Sequence, residues 1–448
     1  MPPLASSKSQ PLNGTVCVPG DKSISHRALI MGALAVGETV IEGLLEGEDV
    51  LHTGAALEAL GARIERPGEK GNGATWRVLG RGVGGLSEAE TTIDMGNSGT
   101  GARLLMGVAA AHPITTVFAG DASLSARPMA RVVDPLVQIG AKITARSGCR
   151  LPVSISGAKD PLPITWRPSV PSAQVKSAIL LAGLNAPGTT SVIEPAPTRD
   201  HTENLLDYFG AKVATETLPD GTNRISVEGY PELEARKVTV PGDVSSAAFP
   251  LVGALVSEGS NIVIQNVGIN PLRVGLIDTL LEMGAQIRYE NKRTEAGEPV
   301  ADIFVSAGPM RGVDVPAARA PSMIDEYPVL AVAAAVANGK TIMRGLSELR
   351  VKESDRLSAI AEGLAACGVR VEADSDTLTV HGTGGRPPPG GGQILTHMDH
   401  RIAMSFLVLG MVSKDPVQID NSSMIKTSFP DFANLMNSLG THIQAAPE

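Results

Sequence analysis

Six times along this chain an amphipathic helical pattern ends in the same way: an apolar residue, a glycine, a small residue, a polar residue and a β-branched residue. The copies are Leu60-Gly61-Ala62-Arg63-Ile64, Ile139-Gly140-Ala141-Lys142-Ile143, Phe209-Gly210-Ala211-Lys212-Val213, Met283-Gly284-Ala285-Gln286-Ile287, Cys367-Gly368-Val369-Arg370-Val371 and Leu439-Gly440-Thr441-His442-Ile443. Each reads as a helix C-terminus with glycine just past its end, feeding a strand. The glycines recur every 70 to 84 residues over a length of 448. Self-similarity at a steady period implies one supersecondary unit copied six times. Function must then be sought where the copies differ and where their loops converge.

Between these helices runs a second series, rich in small and apolar residues, at about 26–36, 101–111, 173–184, 245–257, 324–337 and 400–411. Segments apolar nearly all round predict buried helices. Each is followed by a short β-branched run, such as Thr39-Val-Ile41 or Asn261-Ile-Val-Ile264. The predicted fold is therefore α/β, in two pseudo-equivalent domains of three βαβαββ units with buried parallel helices, an inside-out α/β barrel. Val16-Cys-Val-Pro-Gly-Asp-Lys-Ser-Ile-Ser25 and Val238-Thr-Val-Pro-Gly-Asp-Val-Ser-Ser246 resemble one another and read as the linkers. They predict a C-terminal-type domain of 1–19 plus 242–448, an N-terminal-type domain of 20–241, and an active site in the cleft between them. Arg66 to Thr75, Asn291 to Pro299 and Gly382 to Gln393, rich in glycine, proline or charge, read as surface loops.

Composition excludes several functions. A net charge of −9 and only 3% aromatic residues argue against nucleic-acid binding. The longest apolar runs are too short to span a bilayer. Cys17, Cys149 and Cys367 are far apart, without metal spacing, and predict a reducing, cytoplasmic setting. His397-Met-Asp-His400 lacks a third ligand, so no metal is expected. Gly82-Val-Gly-Gly85 lacks a strand–helix frame and no phosphate-binding P-loop is present, so no nucleotide cofactor is expected.

The buried helices open on polar segments: Asp21-Lys22-Ser23-Ile24-Ser25-His26-Arg27, Asn97-Ser98-Gly99-Thr100, Pro171-Ser172-Ala173-Gln174, Asp243-Val244-Ser245-Ser246, Ser322-Met323-Ile324-Asp325-Glu326 and Met398-Asp399-His400-Arg401. Ser, Asn and Asp there are ordinary N-caps. Lys22, Arg27 and Arg401 oppose the helix macrodipole, which makes sense if an anion binds at these N-termini. The loops before the exposed helices add Arg127, Arg199, Arg273, Lys352, Arg356 and Lys426. An acidic chain with cations at equivalent loop positions reads as one that focuses a small polyanion. Asp325 and Glu353 supply carboxylates for proton transfer in such surroundings, with Lys352 and Arg356 on one helix face at i, i+4.

Pro19-Gly-Asp-Lys-Ser-Ile-Ser-His-Arg27, Asn97-Ser-Gly-Thr100, Arg127-Pro128, Ser172-Ala-Gln174, Ile324-Asp-Glu326, Arg350-Val-Lys-Glu-Ser-Asp-Arg-Leu357 and Asp399-His-Arg-Ile-Ala-Met404 together resemble the 5-enolpyruvylshikimate-3-phosphate synthase family, over essentially the whole chain. The context of the fourth and fifth motifs, Ser-Ala-Gln-Val-Lys-Ser-Ala and Pro-Ser-Met-Ile-Asp-Glu-Tyr-Pro, resembles the glyphosate-tolerant bacterial class II. The resemblance implies transfer of the enolpyruvyl group of phosphoenolpyruvate to the 5-hydroxyl of shikimate 3-phosphate, in the shikimate pathway, by a cytoplasmic monomer without cofactor or metal. It implies that Lys22, Ser23, Arg27, Ser172, Ala173, Gln174, Arg199, Asp325 and Lys352 bind shikimate 3-phosphate. Lys22, Gly99, Arg127, Gln174, Arg356 and Arg401 would bind phosphoenolpyruvate. Asp325, Glu353 and Lys22 would be catalytic, Asp325 accepting the hydroxyl proton and Glu353 serving the methylene. Neither nucleic acid nor membrane is an implied partner; glyphosate is the implied inhibitor.

Two positions depart from the family's pattern. Lys426 stands one residue before the usual lysine position, Thr427, and is left out of the set. Glu348 stands where an asparagine is common. Gly99 keeps the family's glycine where the tolerant class can carry alanine, so the local residue predicts more sensitivity to glyphosate than the class resemblance does. Two rival readings are an enolpyruvyl transferase acting on UDP-N-acetylglucosamine and a non-catalytic two-domain anion binder. The first usually carries a reactive cysteine in the loop that here reads Gly120-Asp-Ala-Ser-Leu-Ser-Ala-Arg-Pro-Met129. The second has no need of Asp325 and Glu353 together.

Overall fold

An all-apolar helix is stable in water only if neighbours cover it on every side. In the computed structural model, which describes residues 3–66 and 75–446, six helices meet that condition: α1 (Lys22–Leu34), α3 (Gly99–Ala110), α6 (Ala173–Gly183), α8 (Val244–Val256), α10 (Tyr327–Val336) and α12 (His400–Gly410). In α8 every residue from Val244 to Leu255 is buried. Close packing also explains the small residues: a Cβ on Gly107 of α3 would lie 2.3 Å from the Ala178 carbonyl oxygen of α6.

The glycine-ended helices are α2 (Glu48–Ala59), α5 (Ala130–Ile139), α7 (His201–Tyr208), α9 (Gly275–Glu282), α11 (Arg356–Ala366) and α13 (Phe432–Ser438); α4 (Ala122–Ala126) is a short turn before α5. All six terminal glycines have φ between +71° and +116°. At Gly210 nothing lies within 4 Å of a notional Cβ, so the left-handed backbone, not space, demands glycine there.

The strands form six four-stranded sheets of one design among the described residues. In Glu38–Glu42's sheet, Lys237–Thr239 pairs parallel on one side; Thr75–Leu79 pairs antiparallel on the other and is followed by Arg63–Glu65. The other five repeat that pattern of a parallel outer strand and an antiparallel inner one. The N-terminal strand Leu4–Ser7 fills the inner place between Val417–Ile419 and His442–Ala445.

The chain divides into two units, one of residues 1–19, 241–293 and 299–448, the other of residues 20–240 and 294–298. Each has its own continuous apolar core. In the first, α8, α10 and α12 pack on one another; in the second, α3 packs on both α1 and α6. Burying a Leu, Ile or Val in such a core contributes about 1.5–3 kcal/mol.

Three expectations need correction. Asn291 to Pro299 is not a surface loop: Gln286–Glu295 and Glu298–Ser306 are strands, joined through Ala296 and Gly297, both at positive φ. That is the backbone of a tight hairpin turn. The fifth buried helix starts at Tyr327 rather than 324, with Glu326 as N-cap and Pro328 in its first turn. Asp325 therefore lies in the turn before the helix. Lys352 and Arg356 do not share a helix face either, because Lys352 is extended and α11 begins at Arg356. The stretch expected as a loop at 66–75 lies mostly outside the described residues.

Candidate active site

In the unit of residues 20–240 the site starts at the N-terminus of α1. Asp21 caps the helix, its carboxylate accepting from the Ile24 N–H at 2.9 Å. That places Lys22 and Ser23 in the first turn and Arg27 one turn on. Lys22 Nζ lies 3.1 Å from Asp49 Oδ2. Arg27 is only 2% exposed, yet its hydrogen bonds all run to neutral oxygens. Nε donates to Thr202 Oγ1 at 2.6 Å, Nη1 to the Ser23 carbonyl at 2.9 Å and Nη2 to Ser177 Oγ at 2.8 Å. These bonds fix the fork and leave one N–H on each terminal nitrogen. Burial lowers the Arg27 pKa to about 10, so the group remains a cation near neutral pH. Its neighbour His26 is neutral, because burial pushes it down to about 3.

Gly99, Arg127 and Gln174 meet in the same unit. Ser98 caps α3, so Gly99 is its first residue. Ser172 caps α6, placing Ala173 and Gln174 in its first turn. Gln174 Nε2 donates to Thr100 Oγ1 at 2.9 Å, and its Oε1 accepts from Arg103 Nη1 at 3.2 Å. Arg127 Nη2 donates to Asn97 Oδ1 at 2.7 Å and to Ser123 Oγ at 3.1 Å. A Cβ on Gly99 would stand 2.8 Å from Arg103 Nη1 and 3.2 Å from Arg127 Nη1. Two guanidinium groups thus flank a helix N-terminus where the backbone is bare, an arrangement suited to a small anion. Arg199 precedes α7, and its charge acts on Arg27.

The unit that holds residue 325 is built differently. Arg356, fully buried, is clasped by three carboxylates. Nε donates to Asp399 Oδ2 at 2.7 Å, Nη1 to Asp325 Oδ1 at 3.0 Å and Nη2 to Glu353 Oε2 at 2.6 Å. Burial alone would lower the Arg356 pKa, but Asp399, Glu353 and Asp325 outweigh it and raise it. Lys352 Nζ lies 3.4 Å from the same Asp325 oxygen. Arg401 donates to the Asp325 carbonyl at 3.2 Å and lies 3.5 Å from Glu326 Oε1. Asp325, Lys352, Glu353, Arg356 and Arg401 therefore form one contiguous cluster.

Other cations named by the sequence take other places. Arg273 is buried against Asp243 Oδ1 at 3.3 Å and Ser245 Oγ at 2.8 Å, so an internal carboxylate answers its charge. Lys426 and Glu348 are exposed. Asp355 caps α11 through the Ser358 N–H and pairs with Arg350 at 2.8 Å. Among the described residues Asp200, His201 and Glu298 come close enough to gather about a cation. Their polar atoms are already hydrogen-bonded: His201 Nδ1 lies 2.8 Å from Glu298 Oε1, and Asn204 Nδ2 bridges Asp200 and Glu298 at 3.2 and 3.1 Å.

Asp49, Arg103 and Lys176 do not stand out as candidates from sequence reasoning. Arg103 and Lys176 do carry a signal, each being the lone charge in an otherwise apolar helix. Asp399 reads in the sequence only as a cap, and it does cap α12, through the Arg401 N–H at 2.9 Å; its second task at Arg356 has no local signature.

The sequence model of the family described as EPSP synthase (3-phosphoshikimate 1-carboxyvinyltransferase) matches residues 6–436. A 3-phosphoshikimate 1-carboxyvinyltransferase of Paramagnetospirillum magneticum is 61% identical over 98% of each chain. One of Rhodospirillum rubrum is 58% identical over the same shares. A solved EPSP synthase from Acinetobacter baumannii is 42% identical, with a TM-score of 0.89 over the whole of both chains. Clustered cations at helix N-termini, the Asp325–Arg356–Glu353 grouping and likeness over the full length all lead to one assignment: the chain belongs to the EPSP synthase family.

Proposed function

We propose that the residues of the two units serve one reaction on one pair of substrates. The chain transfers the enolpyruvyl group of phosphoenolpyruvate to the 5-hydroxyl of shikimate 3-phosphate and releases phosphate. In our reading Lys22, Ser23, Arg27, Ser172, Ala173, Gln174, Arg199, Asp325 and Lys352 hold shikimate 3-phosphate. Lys22, Gly99, Arg127, Gln174, Arg356 and Arg401 hold phosphoenolpyruvate. Glu353 delivers a proton to the methylene, which makes C2 electrophilic. The 5-hydroxyl attacks C2 while Asp325 accepts its proton. The resulting tetrahedral adduct expels phosphate and loses a methyl proton. Lys22 assists where charge develops between the substrates. Fixed charges need no reorganisation as charge develops, and such preorganisation commonly contributes more to catalysis than any other single effect.

The observation that carries this reading is the position of Asp325, whose Oδ1 lies 3.0 Å from Arg356 Nη1 and 3.4 Å from Lys352 Nζ. A carboxylate beside two cations stays ionised and can accept a proton. A non-catalytic anion binder would have no use for a carboxylate there. The test is phosphate release from phosphoenolpyruvate with either shikimate 3-phosphate or UDP-N-acetylglucosamine as acceptor. Release with the first alone is expected; release with the second alone would overturn the assignment. We also propose a cytoplasmic monomer. The three free cysteines support the reducing compartment.

Glyphosate is proposed as a competitor for the phosphoenolpyruvate subsite. Gly99 leaves open the space between Arg103 and Arg127. An alanine methyl would force those side-chain ends aside and shorten the room for the longer inhibitor. Gly99→Ala is expected to raise the inhibition constant at least about tenfold more than KM for phosphoenolpyruvate, within the range a single steric change gives. Equal inhibition of both proteins would place selectivity elsewhere in the site.

A further inference from the structure

We infer that Lys176 is a positioning residue: it holds the Glu203 carboxylate away from Arg27 and so keeps that guanidinium available for the acceptor's phosphate. The inference rests on the reading that Arg27 binds shikimate 3-phosphate.

Lys176 lies in the apolar helix α6 and is 1% exposed. Its three ammonium N–H groups have three acceptors: Glu203 Oε1 at 2.6 Å, Glu194 Oε1 at 3.0 Å and the Thr198 carbonyl at 3.3 Å. A lysine so placed contributes nothing to solubility or to an apolar core. Two buried acids on one buried lysine are also more negative charge than Lys176 can neutralise. Arg27 is the cation on which Glu203 acts, with Arg199 close by. Both elements that carry the ion pair also touch Arg27 through the adjacent residue: Ser177 follows Lys176, and Thr202 precedes Glu203. Ser177 Oγ and Thr202 Oγ1 lie 2.7 Å apart, which closes the ring.

Arg27 itself bonds only neutral oxygens, although Glu203 exerts the strongest charge upon it. Glu203 Oε2 is buried and has no hydrogen-bond partner among the described residues. That orphan oxygen is satisfied poorly, and a neighbouring guanidinium with two free N–H groups is its natural alternative. Lys176 prevents the exchange by holding Oε1. Burial raises the Glu203 carboxyl even beside Lys176, so without Lys176 it stays ionised only by turning to Arg27, where it competes with the substrate's phosphate.

Lys176→Met is expected to raise KM for shikimate 3-phosphate about tenfold or more, with a smaller change in kcat and in KM for phosphoenolpyruvate. Two double variants separate positioning from simple charge balance, and they are measured whether or not the single variant folds. Lys176→Met with Glu203→Gln removes the competitor and is expected to restore KM. Lys176→Met with Glu194→Gln restores the same charge count but leaves Glu203, and is expected not to restore it. Equal rescue by both doubles, or an unchanged KM in a folded Lys176→Met, would overturn the inference. Glu203→Gln alone, with Lys176 retained, is expected to leave KM for shikimate 3-phosphate unchanged or lower; a raised value counts against it. If Arg27→Met leaves KM for shikimate 3-phosphate unchanged, the reading of Arg27 as a phosphate ligand fails instead.

Discussion

Asp325→Asn is expected to lower kcat by about 10²–10⁴-fold, the usual weight of a general base, while shikimate 3-phosphate still binds. The amide keeps the shape of the side chain, and its oxygen can still accept from Arg356 Nη1, now 3.0 Å away. It loses the capacity to take a proton from the attacking hydroxyl. The fold should tolerate the change, because Glu353 and Asp399 remain as counter-charges on Arg356. Rapid-quench measurement of phosphate release, with calorimetric titration of shikimate 3-phosphate, separates chemistry from binding. A variant with near-normal kcat would remove Asp325 from the role and leave Glu353 as the candidate base.

The sixfold architecture is legible in the sequence because it is written in backbone chemistry. A glycine that must adopt positive φ cannot be replaced cheaply, so Gly61, Gly140, Gly210, Gly284, Gly368 and Gly440 punctuate the chain. Helices covered on all sides show as apolar runs, and each of the six buried helices begins at the residue after a polar N-cap. The hairpin through Ala296 and Gly297 escapes sequence reasoning because its strand Gln286–Glu295 is largely exposed and charged, which hides the alternation that marks a half-buried strand. The candidate site divides similarly. Cations at helix N-termini stand out, since they oppose the local dipole. Their partners do not. Asp49 meets Lys22 across 27 positions, Asp399 meets Arg356 across 43, and Glu203 meets Lys176 through a separate helix. Those pairings exist only after folding. A lone Arg103 or Lys176 in an apolar helix is the nearest thing to a local sign of them.

Arg356→Met is expected to produce the largest loss of stability of any single change in the cluster. Asp399 has no exposed surface, and Arg356 Nε holds it at 2.7 Å. Breaking a buried pair from one side leaves an uncompensated charge, which typically costs about 3–5 kcal/mol. The dependence on pH gives this prediction its signature. In the native protein burial alone would raise the Asp399 carboxyl, but the charge and hydrogen bond of Arg356, together with the charge of His400, outweigh it and lower it. A carboxyl lowered on folding adds stability that is fully present above its unfolded pKa, about 3.9, and is lost as pH falls through the folded value. In Arg356→Met that cation is gone, burial dominates, and the same carboxyl is raised on folding. Protonating it then relieves the variant. The stability gap between the two proteins, followed by urea unfolding, is therefore expected to be widest near pH 7 and to narrow towards pH 4. Adding Asp399→Asn to Arg356→Met should recover part of the loss at neutral pH by removing the stranded charge. A gap that stays constant from pH 7 to 4 would mean that lost packing around the guanidinium, rather than the Asp399 charge, sets the cost.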